Sequence, residues 1–249
     1  MHSKNNSQRD TVYAKVQELT AFVFDEAVTQ VFPNMIRRSA PGYETSQDLI
    51  EAVAAHYVQP RDVVYDLGCS VGESTFRLAR SKYIPQCEIF GIDSSHPMIE
   101  ACKNILQTGL ENNSFNSTLY FLEQKAEDVQ FKPCRLVLLN YVLQFISLKS
   151  RLQLLQRIYD ALLPNSILLL SEKIILPAFE NDLAEKIHTQ FKKCQGYSEL
   201  EIAQKRNALQ GVLISESLTT HVDRLKSVGF NQVQVLAQGL QFITLIACK

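Results

Sequence analysis

The chain has 249 residues, with 25 Lys and Arg against 26 Asp and Glu, so its formal net charge is −1. Hydrophobic residues make up 46% of it, which is enough apolar surface to offset chain entropy and excludes a disordered or low-complexity protein. The balanced charge argues against a protein that grips phosphate backbones over a wide area, because such proteins carry an excess of Lys and Arg. We therefore expect no direct nucleic acid binding.

The same sequence predicts neither a membrane span nor a metal site. Its best apolar run, around Leu168 to Leu170, is interrupted by Ser171, Glu172 and Lys173, far short of the ~20 residues that a span needs. The first six residues are polar and lack an apolar signal core. The six cysteines include no pair with the spacing of a zinc or redox motif, which predicts reduced core thiols in a cytoplasmic protein.

The N-terminal 60 residues are expected to be helical after a frayed tail over residues 1–10. Apolar residues recur at helical spacing from Phe22 to Phe32, and Pro33 is expected to stop this first helix. A second amphipathic helix is predicted over 44–57, closed by Pro60.

From Asp62 onward, strands and helices are predicted to alternate. Val63 to Leu67 is a nearly continuous apolar run before a glycine cluster, which is typical of a buried parallel strand. The elements predicted after it are a helix over 73–83, a strand over 87–92, a helix over 97–107, strands over 118–122 and 136–140, a helix over 148–163 and a strand over 167–170. Such alternation favours a doubly wound α/β sheet.

The C-terminal part departs from this pattern. Two helices, over about 180–193 and 198–213, are predicted as an insertion, followed by a helix that ends before Gly229. The strands over 232–237 and 242–248 are separated by few residues, so they must pair as an antiparallel hairpin. A mostly parallel seven-stranded sheet that ends in such a hairpin resembles the class I methyltransferase fold more than a dehydrogenase domain.

We therefore expect one domain over 1–249 with four parts. They are an N-terminal helical segment (1–60), a cofactor-binding core (61–173), a helical insertion (174–217) and a C-terminal helix with the hairpin (218–249).

The segment from Asp66 to Gly72 leaves a buried strand and enters a helix, where glycines let backbone N–H groups approach a ligand. Its glycine spacing matches the dinucleotide fingerprint poorly. It does spell G-x-S-x-G, the nucleophile elbow of α/β-hydrolases, with Ser70 as nucleophile and His221 later in the chain. Against a hydrolase, this is the first strand of the sheet, and Asp66 would place a charge beside the oxyanion.

A third interpretation is the S-adenosylmethionine loop, an acidic residue followed by G-x-G-x-G, here with Ser70 in place of the middle glycine. Asp66 could accept from the ammonium group of the cofactor's amino acid. The interpretation also requires an acid at the end of the next strand to take the ribose hydroxyls, and Asp93 is at that place. These two features favour the S-adenosylmethionine loop over the other interpretations.

Several segments spread over nearly the whole chain resemble the carboxy-S-adenosyl-L-methionine synthases (the CmoA family). The matching pieces are Phe24-Asp25-Glu26, Val31-Phe32-Pro33, Met35-Ile36, Pro41-Gly42-Tyr43, Tyr65 to Ser70, Leu139-Asn140 with Leu143-Gln144-Phe145, and Gly196 to Ile202 with Gln204-Lys205-Arg206. The resemblance implies an enzyme that carboxylates the methyl carbon of S-adenosyl-L-methionine. Prephenate would supply the carboxyl group and leave as phenylpyruvate, and the product would serve a separate enzyme that modifies wobble uridines of tRNA.

By the same resemblance, specific residues acquire expected roles around the cofactor. Gly68, Cys69 and Ser70 would hold its amino-acid end, and Asp93 would take the ribose with Ser94 beside it.

Three further residues would complete the cofactor site. Asn140 would lie against the reacting region, and Tyr43 would close the site from the N-terminal segment. Relatives tend to have Gly-Asp-Ile after the third strand, whereas this chain has Gln124-Lys125-Ala126, so the adenine contact would depend on the backbone N–H of Ala126.

Arg206 is the residue expected to define the reaction. The product carries one carboxylate more than the ordinary cofactor, and a planar guanidinium can bind it at two points. The resemblance implies that Arg206 recognises this carboxylate, and it also implies a homodimer in which the insertion, with its apolar residues from Leu200 to Leu213, meets the partner chain. Two alternatives stay open: an ordinary S-adenosylmethionine-dependent methyltransferase acting on a small molecule or tRNA, and a non-catalytic cofactor-binding module.

Overall fold

The computed structural model describes residues 8–18, 20–112 and 114–249; residues 1–7 of the predicted tail lie outside the described residues. The described α-helices are α1 (Glu26–Ser39), α2 (Tyr43–Tyr57), α3 (Glu73–Arg80), α4 (His96–Glu111), α5 (Leu148–Ala161), α6 (Ala178–Cys194), α7 (Glu199–Leu209) and α8 (Leu218–Ser227). The described strands are β1 (Val63–Leu67), β2 (Glu88–Asp93), β3 (Thr118–Glu123), β4 (Cys134–Asn140), β5 (Leu162–Ile175), β6 (Glu216–Ser217), β7 (Gln232–Gly239) and β8 (Phe242–Cys248).

Seven strands form one sheet in the order β3-β2-β1-β4-β5-β8-β7, and the two-residue β6 pairs with the end of β5. The first five strands in this order run parallel, whereas β8 is antiparallel to both β5 and β7. The predicted doubly wound, mostly parallel sheet with a terminal hairpin is therefore confirmed.

Both faces of the sheet are covered, which explains the continuous apolar strands of the sequence. On one face, Tyr65 and Leu67 of β1 pack with Leu155 of α5 and Leu225 of α8. On the other, Val64 packs with residues of α2, α3 and α4. The loops that follow β1, β2 and β4 thus leave the carboxyl edge of a buried parallel sheet.

Several predicted helix boundaries were wrong, and two of them have a clear physical reason. Helix α1 continues through Pro33 to Ser39. Val31 and Met35 on its buried face account for this, since tertiary packing outweighs the single backbone hydrogen bond that proline removes. Helix α5 ends at Ala161 rather than at 163, because Pro164 disfavours helical geometry at Leu163 and the chain enters β5 instead.

Strand β5 is also longer than predicted, with 14 residues. The charged pair Glu172 and Lys173, expected to end it, remains in the strand because β8 runs alongside and pairs with both residues.

Two further expectations failed outside the sheet. Asp10, assigned to the frayed tail, is buried, and its carboxylate accepts from Tyr197 Oη at 2.5 Å. All six cysteines are free, as predicted, but Cys194 at the end of α6 is exposed rather than in the core.

Candidate functional site

A cavity of about 980 Å³ opens at the carboxyl ends of β1, β2 and β4 and extends to α6 and α7. Ligands of open α/β sheets bind at this edge. The structure brings all the predicted site residues together in its lining: Tyr43, Gly68, Cys69, Ser70, Asp93, Ser94, Ala126, Asn140 and Arg206.

The glycine loop has the geometry of a ligand cradle. Gly68, Ser70 and Gly72 all have positive φ, of 67°, 53° and 79°. A Cβ at Gly68 would lie 2.5 Å from Cγ2 of Val142, so only glycine fits between the loop and the segment after β4. The amides of Gly68 and Cys69 both donate to the carbonyl of Ile92, which ties the loop to the end of β2.

Asp93 fastens this loop to the next one. Its Oδ2 accepts from the amide of Ser70 and its Oδ1 from the amide of Ser95, each at 2.9 Å. Each carboxylate oxygen has a second lone pair, so both can still accept from a ligand. Burial raises the pKa of Asp93, and the backbone amides oppose that shift. The carboxylate therefore holds the loop and also faces the cavity.

Asp66 and Ser70 are both engaged within the protein. Asp66 is buried and accepts from Thr75 Oγ1 at 2.6 Å, and burial raises its pKa to about 6. Ser70 Oγ lies 3.3 Å from the sulfur of Met98. His221, the hydrolase partner considered for Ser70, is buried in α8 and does not line the cavity. The structure therefore does not assemble the hydrolase pair.

The end of β4 presents an unsatisfied acceptor. Asn140 Oδ1 is buried and has no hydrogen-bond partner among the described residues. A buried acceptor left without a partner costs about 1–3 kcal/mol, so a donor from a ligand would be favourable here. The next residue, Tyr141, has φ of 63°, a strained value for a tyrosine, and strain of this kind concentrates at binding sites.

Ala126 forms another part of the cavity wall, at the start of a 3₁₀ turn (Ala126–Asp128) after β3. The hydrogen bonds of the described residues leave its amide without an acceptor. That free N–H is compatible with the predicted adenine contact, which does not depend on a side chain. Lys125 lines the cavity beside it.

Tyr43 reaches the cavity from the start of α2 through a charged network. Its hydroxyl donates to Glu73 Oε2 at 3.0 Å, while Arg37 contacts both Glu73 and Glu44. Burial and the Glu73 carboxylate raise the pKa of Tyr43 well above its usual value, so its hydroxyl is a hydrogen-bond donor. Its ring lies 6.2 Å from that of Tyr141.

Arg206 lies on α7, which Ser198 and Glu201 begin with a reciprocal capping box. Its guanidinium is exposed to the cavity, donates to Thr189 Oγ1 at 3.1 Å and lies 4.0 Å from Glu185. These are weak commitments for five N–H donors, so the guanidinium retains donors for a ligand. Arg206 lines the cavity of its own chain together with the glycine loop.

Sequence reasoning missed a second group of cavity residues on β5, α6 and α7. They are Lys173, Glu185, His188, Lys192 and Lys205. Nothing in their spacing is a motif, because they come from three elements that only the tertiary structure brings together.

None of the described helices is long and apolar enough to cross a membrane. The described residues also contain no group of three or more His, Cys, Asp or Glu side chains that could hold a metal ion.

Several solved structures of methyltransferases have the same fold. A putative O-methyltransferase from Nostoc punctiforme superposes with a TM-score of 0.63 at 15% identity, over 90% of this chain and 59% of that one. The human N-acetylserotonin methyltransferase in complex with SAM superposes with a TM-score of 0.57 at 17% identity, over 90% of this chain and 56% of that one. At these identities the likeness concerns the fold alone.

Sequence comparison is more specific. A methyltransferase domain family matches residues 59–224. The carboxy-S-adenosyl-L-methionine synthase of Marinobacter nauticus is 41% identical over 96% of this chain and 95% of its own length. That of Pseudomonas aeruginosa is 42% identical over 97% of this chain and 99% of its own. The chain belongs to the family of the carboxy-S-adenosyl-L-methionine synthases.

Proposed function

We propose that this protein converts S-adenosyl-L-methionine and prephenate to carboxy-S-adenosyl-L-methionine and phenylpyruvate. The relatives at about 40% identity that span nearly the whole chain are named for that product. The observation that carries the proposal is the position of Arg206. It places a guanidinium with free donors in the same cavity as the glycine loop and Asp93.

The residues present fit S-adenosyl-L-methionine. Gly68 to Ser70 offer a narrow backbone cradle for its amino-acid end, and Asp93 has lone pairs available for the ribose hydroxyls. The unpartnered Oδ1 of Asn140, which lines the cavity, provides a hydrogen-bond acceptor. A methyl group activated by a sulfonium is the chemistry that this molecule supplies when bound.

The overall reaction balances without an oxidant or reductant. The bond from the prephenate ring to its carboxyl carbon breaks, and a bond from that carbon to the methyl carbon forms. The ring becomes aromatic by losing its hydroxyl, and this hydroxyl leaves as water with one methyl proton. The remaining tasks of the protein are to exclude water, to hold the reacting atoms of the two molecules close together and to stabilise charge.

Arg206 supplies the stabilisation of the carboxylate. A planar guanidinium binds a carboxylate at two points with more strength and directional preference than a lysine. An ordinary methyl transfer creates no such anion on the cofactor. We therefore propose Arg206 as the catalytic residue that recognises the transferred group.

The test is the mass of the nucleoside that copurifies with the protein, together with turnover when prephenate is added. We expect the mass of the carboxylated cofactor, and phenylpyruvate released in equal amount to product. Arg206→Ala should lose product formation or retention, and Arg206→Lys should recover only part of it. Arg77→Ala is the matched control, because Arg77 pairs with Asp48 and Glu51 away from the cavity.

A ligand with the mass of plain S-adenosyl-L-methionine, unchanged by prephenate, would contradict the proposal. It would leave an ordinary methyltransferase of small molecules or tRNA as the function. Full activity of Arg206→Ala would point instead to a carboxylate-binding residue elsewhere in the cavity.

We further propose that the product serves carboxymethoxyuridine formation at the tRNA wobble position, in the cytoplasm and without contact between this protein and tRNA. The balanced charge of the chain supports this placement, since a maker of a small-molecule donor needs no basic patch. A tRNA-binding measurement at low salt should detect no complex.

We also propose a homodimer, on a surface that differs from the predicted one. Ile202, Leu209 and Val212 of the insertion are mostly covered within their own chain. The most exposed apolar side chains of the insertion lie instead on its first helix, α6, where Phe179 is 83% and Leu183 50% exposed. A contiguous exposed apolar face of this kind is typical of a protein interface.

A further inference from the structure

Three lysines form a basic wall at the end of the cavity nearest Arg206. We define the basic wall as Lys173 of β5, Lys192 of α6 and Lys205 of α7, all part-buried and all lining the cavity. Together with Arg206 they place four cationic groups from three elements around one volume. None of the three lysines belongs to the predicted cofactor-binding residues.

Among the described residues, one acidic side chain forms ion pairs with two of these four cationic groups. Glu185 of α6 pairs with Lys173 at 2.9 Å and lies 4.0 Å from Arg206. Burial raises the pKa of Glu185, but Lys173 and a hydrogen bond from Gln241 outweigh it and hold the pKa at about 2, so Glu185 contributes one full negative charge. Within the part of the chain that the structure describes, Glu185 is the one carboxylate within 4.0 Å of these cations. Four further carboxylates line the same cavity without pairing with them: Asp66, Glu73, Asp93 and Glu127.

Other groups that face the basic wall add no full negative charge beside Lys192. The ring of His188 bonds through Nε2 to the carbonyl of Ser39 at 2.7 Å. Burial lowers the pKa of His188 to about 4, so the ring is neutral and donates. Burial lowers the pKa of Lys205 to about 7, against the opposing effect of Asp10. The Nζ of Lys205 donates to Ser39 Oγ at 3.0 Å.

Lys192 is the least satisfied of the three. Its ammonium takes part in no hydrogen bond or ion pair among the residues that the structure describes. Burial first, and then the nearby charges of Lys173 and Arg206, lower its pKa to about 8. A cation held in a part-buried site without a partner is unfavourable unless an anion joins it. Binding of an anion at the basic wall would therefore be favourable.

We infer that the basic wall is the subsite for the second substrate and that it selects a ring dicarboxylate, with Lys192 as the principal carboxylate-binding residue. The inference rests on the proposed function, which needs a carboxyl donor beside the cofactor. The basic wall and Arg206 offer more N–H donors than one carboxylate can accept from, whereas two carboxylates can engage both. The dianion would also shield the cationic sulfonium from the lysines.

The transfer of one carboxyl group also favours product release, because it lowers the negative charge of the molecule bound at the basic wall. The carboxyl transfer leaves one carboxylate on the departing phenylpyruvate and moves the other beside Arg206. The wall then holds a monoanion, with fewer charge-assisted hydrogen bonds than it made to the substrate. Substrate and leaving product are thus distinguished by charge as well as by shape.

The test compares Lys192→Gln with Lys193→Gln, the adjacent residue of the same helix. Lys193 is exposed and pairs with Glu199 outside the cavity. Loss of a hydrogen bond between charged partners predicts a KM for prephenate raised about 10-fold or more in Lys192→Gln. The KM for S-adenosyl-L-methionine should not change, Lys192→Arg should recover most of the affinity, and Lys193→Gln should match the wild type.

A second measurement needs no variant and so does not depend on folding. Isophthalate, a ring dicarboxylate, should compete with prephenate in the wild-type enzyme far better than benzoate, which has one carboxylate. Equal inhibition by the two, or an unchanged prephenate KM in Lys192→Gln, would overturn the inference while leaving the proposed function intact. A wild-type enzyme that forms no product from prephenate would instead refute the proposed function itself.

Discussion

Replacing Gly68 by alanine tests the cradle at its narrowest point. Two costs can be separated in the structure. Gly68 has φ of 67°, and a left-handed conformation costs an L-residue about 1–2 kcal/mol. The added Cβ would also lie 2.5 and 3.0 Å from the two Cγ atoms of Val142, and overpacking of this kind costs about 1–3 kcal/mol. We expect Gly68→Ala to lower the free energy of unfolding by about 2–5 kcal/mol.

Gly211→Ala is the matched control for the backbone part. Its φ of 76° is similar, but no atom lies within 4 Å of the Cβ that alanine would add. This variant should therefore lose only about 1–2 kcal/mol. In the double variant Gly68→Ala with Val142→Ala, the clashing Cγ atoms are gone, so the two substitutions should couple favourably by about 1–3 kcal/mol.

The assay is urea denaturation of four variants, with binding of S-adenosyl-L-methionine measured by calorimetry. They are Gly68→Ala, Gly211→Ala, Val142→Ala and the double variant of Gly68→Ala with Val142→Ala. The shifted loop of Gly68→Ala should weaken binding, and the double variant should recover part of it. Equal destabilisation of Gly68→Ala and Gly211→Ala, or additive effects in the double variant, would refute the steric account of this glycine.

Three other predictions concern separate parts of the molecule. Asp93→Asn replaces one acceptor oxygen by a donor facing the amide of Ser70 or Ser95, so we expect a loss of about 1–3 kcal/mol in unfolding free energy. Binding of S-adenosyl-L-methionine, measured by calorimetry, should also weaken in this variant. An unchanged affinity would argue against the proposed contact between Asp93 and the ribose. Burial raises the pKa of Glu172 from 4.5 to about 8, so the fold favours its protonated form, and stability contributed by this group is fully present below pH 4.5 and lost as pH rises to about 8. Urea midpoints at pH 5 and pH 8 should therefore differ less in Glu172→Gln than in the wild type, and equal differences would be inconsistent with a buried neutral carboxyl. Leu183→Glu places a charge on the exposed apolar face of α6 and should convert the proposed dimer to a monomer by light scattering at micromolar concentration, whereas a monomeric wild type would exclude the dimer.

Local pattern was sufficient to predict much of the cofactor side of the site. A glycine-rich turn after a buried strand, and an acid at the end of the next strand, are adjacent in any parallel sheet of this order, so Gly68 and Asp93 could be paired from chain order alone. The bond from the Ser70 amide to Asp93 is the structural form of that pairing. Arg206 entered only through resemblance, because a lone helical arginine has no local signal.

Element ends were predicted less well where two local rules competed with packing. Pro33 is a helix breaker by local rule, yet α1 passes through it because its neighbours Val31 and Met35 are buried. Glu172 and Lys173 mark the end of an apolar run by pattern, yet pairing with β8 keeps both residues in strand. Long-range pairing supplies hydrogen bonds that no local window contains.

The sequence by itself determined the fold class, the glycine loop and its acidic partner, since each depends on periodicity or on order along the chain. The tertiary structure alone decided which cations meet. Lys173, Lys192 and Lys205 come from a strand and two helices of different segments, and each is unremarkable in its own segment. Only their convergence on one part of the cavity, where Glu185 is the carboxylate that pairs with Lys173, concentrates the positive charge. Electrostatic energy depends on distance through space, and spacing along the chain does not encode it.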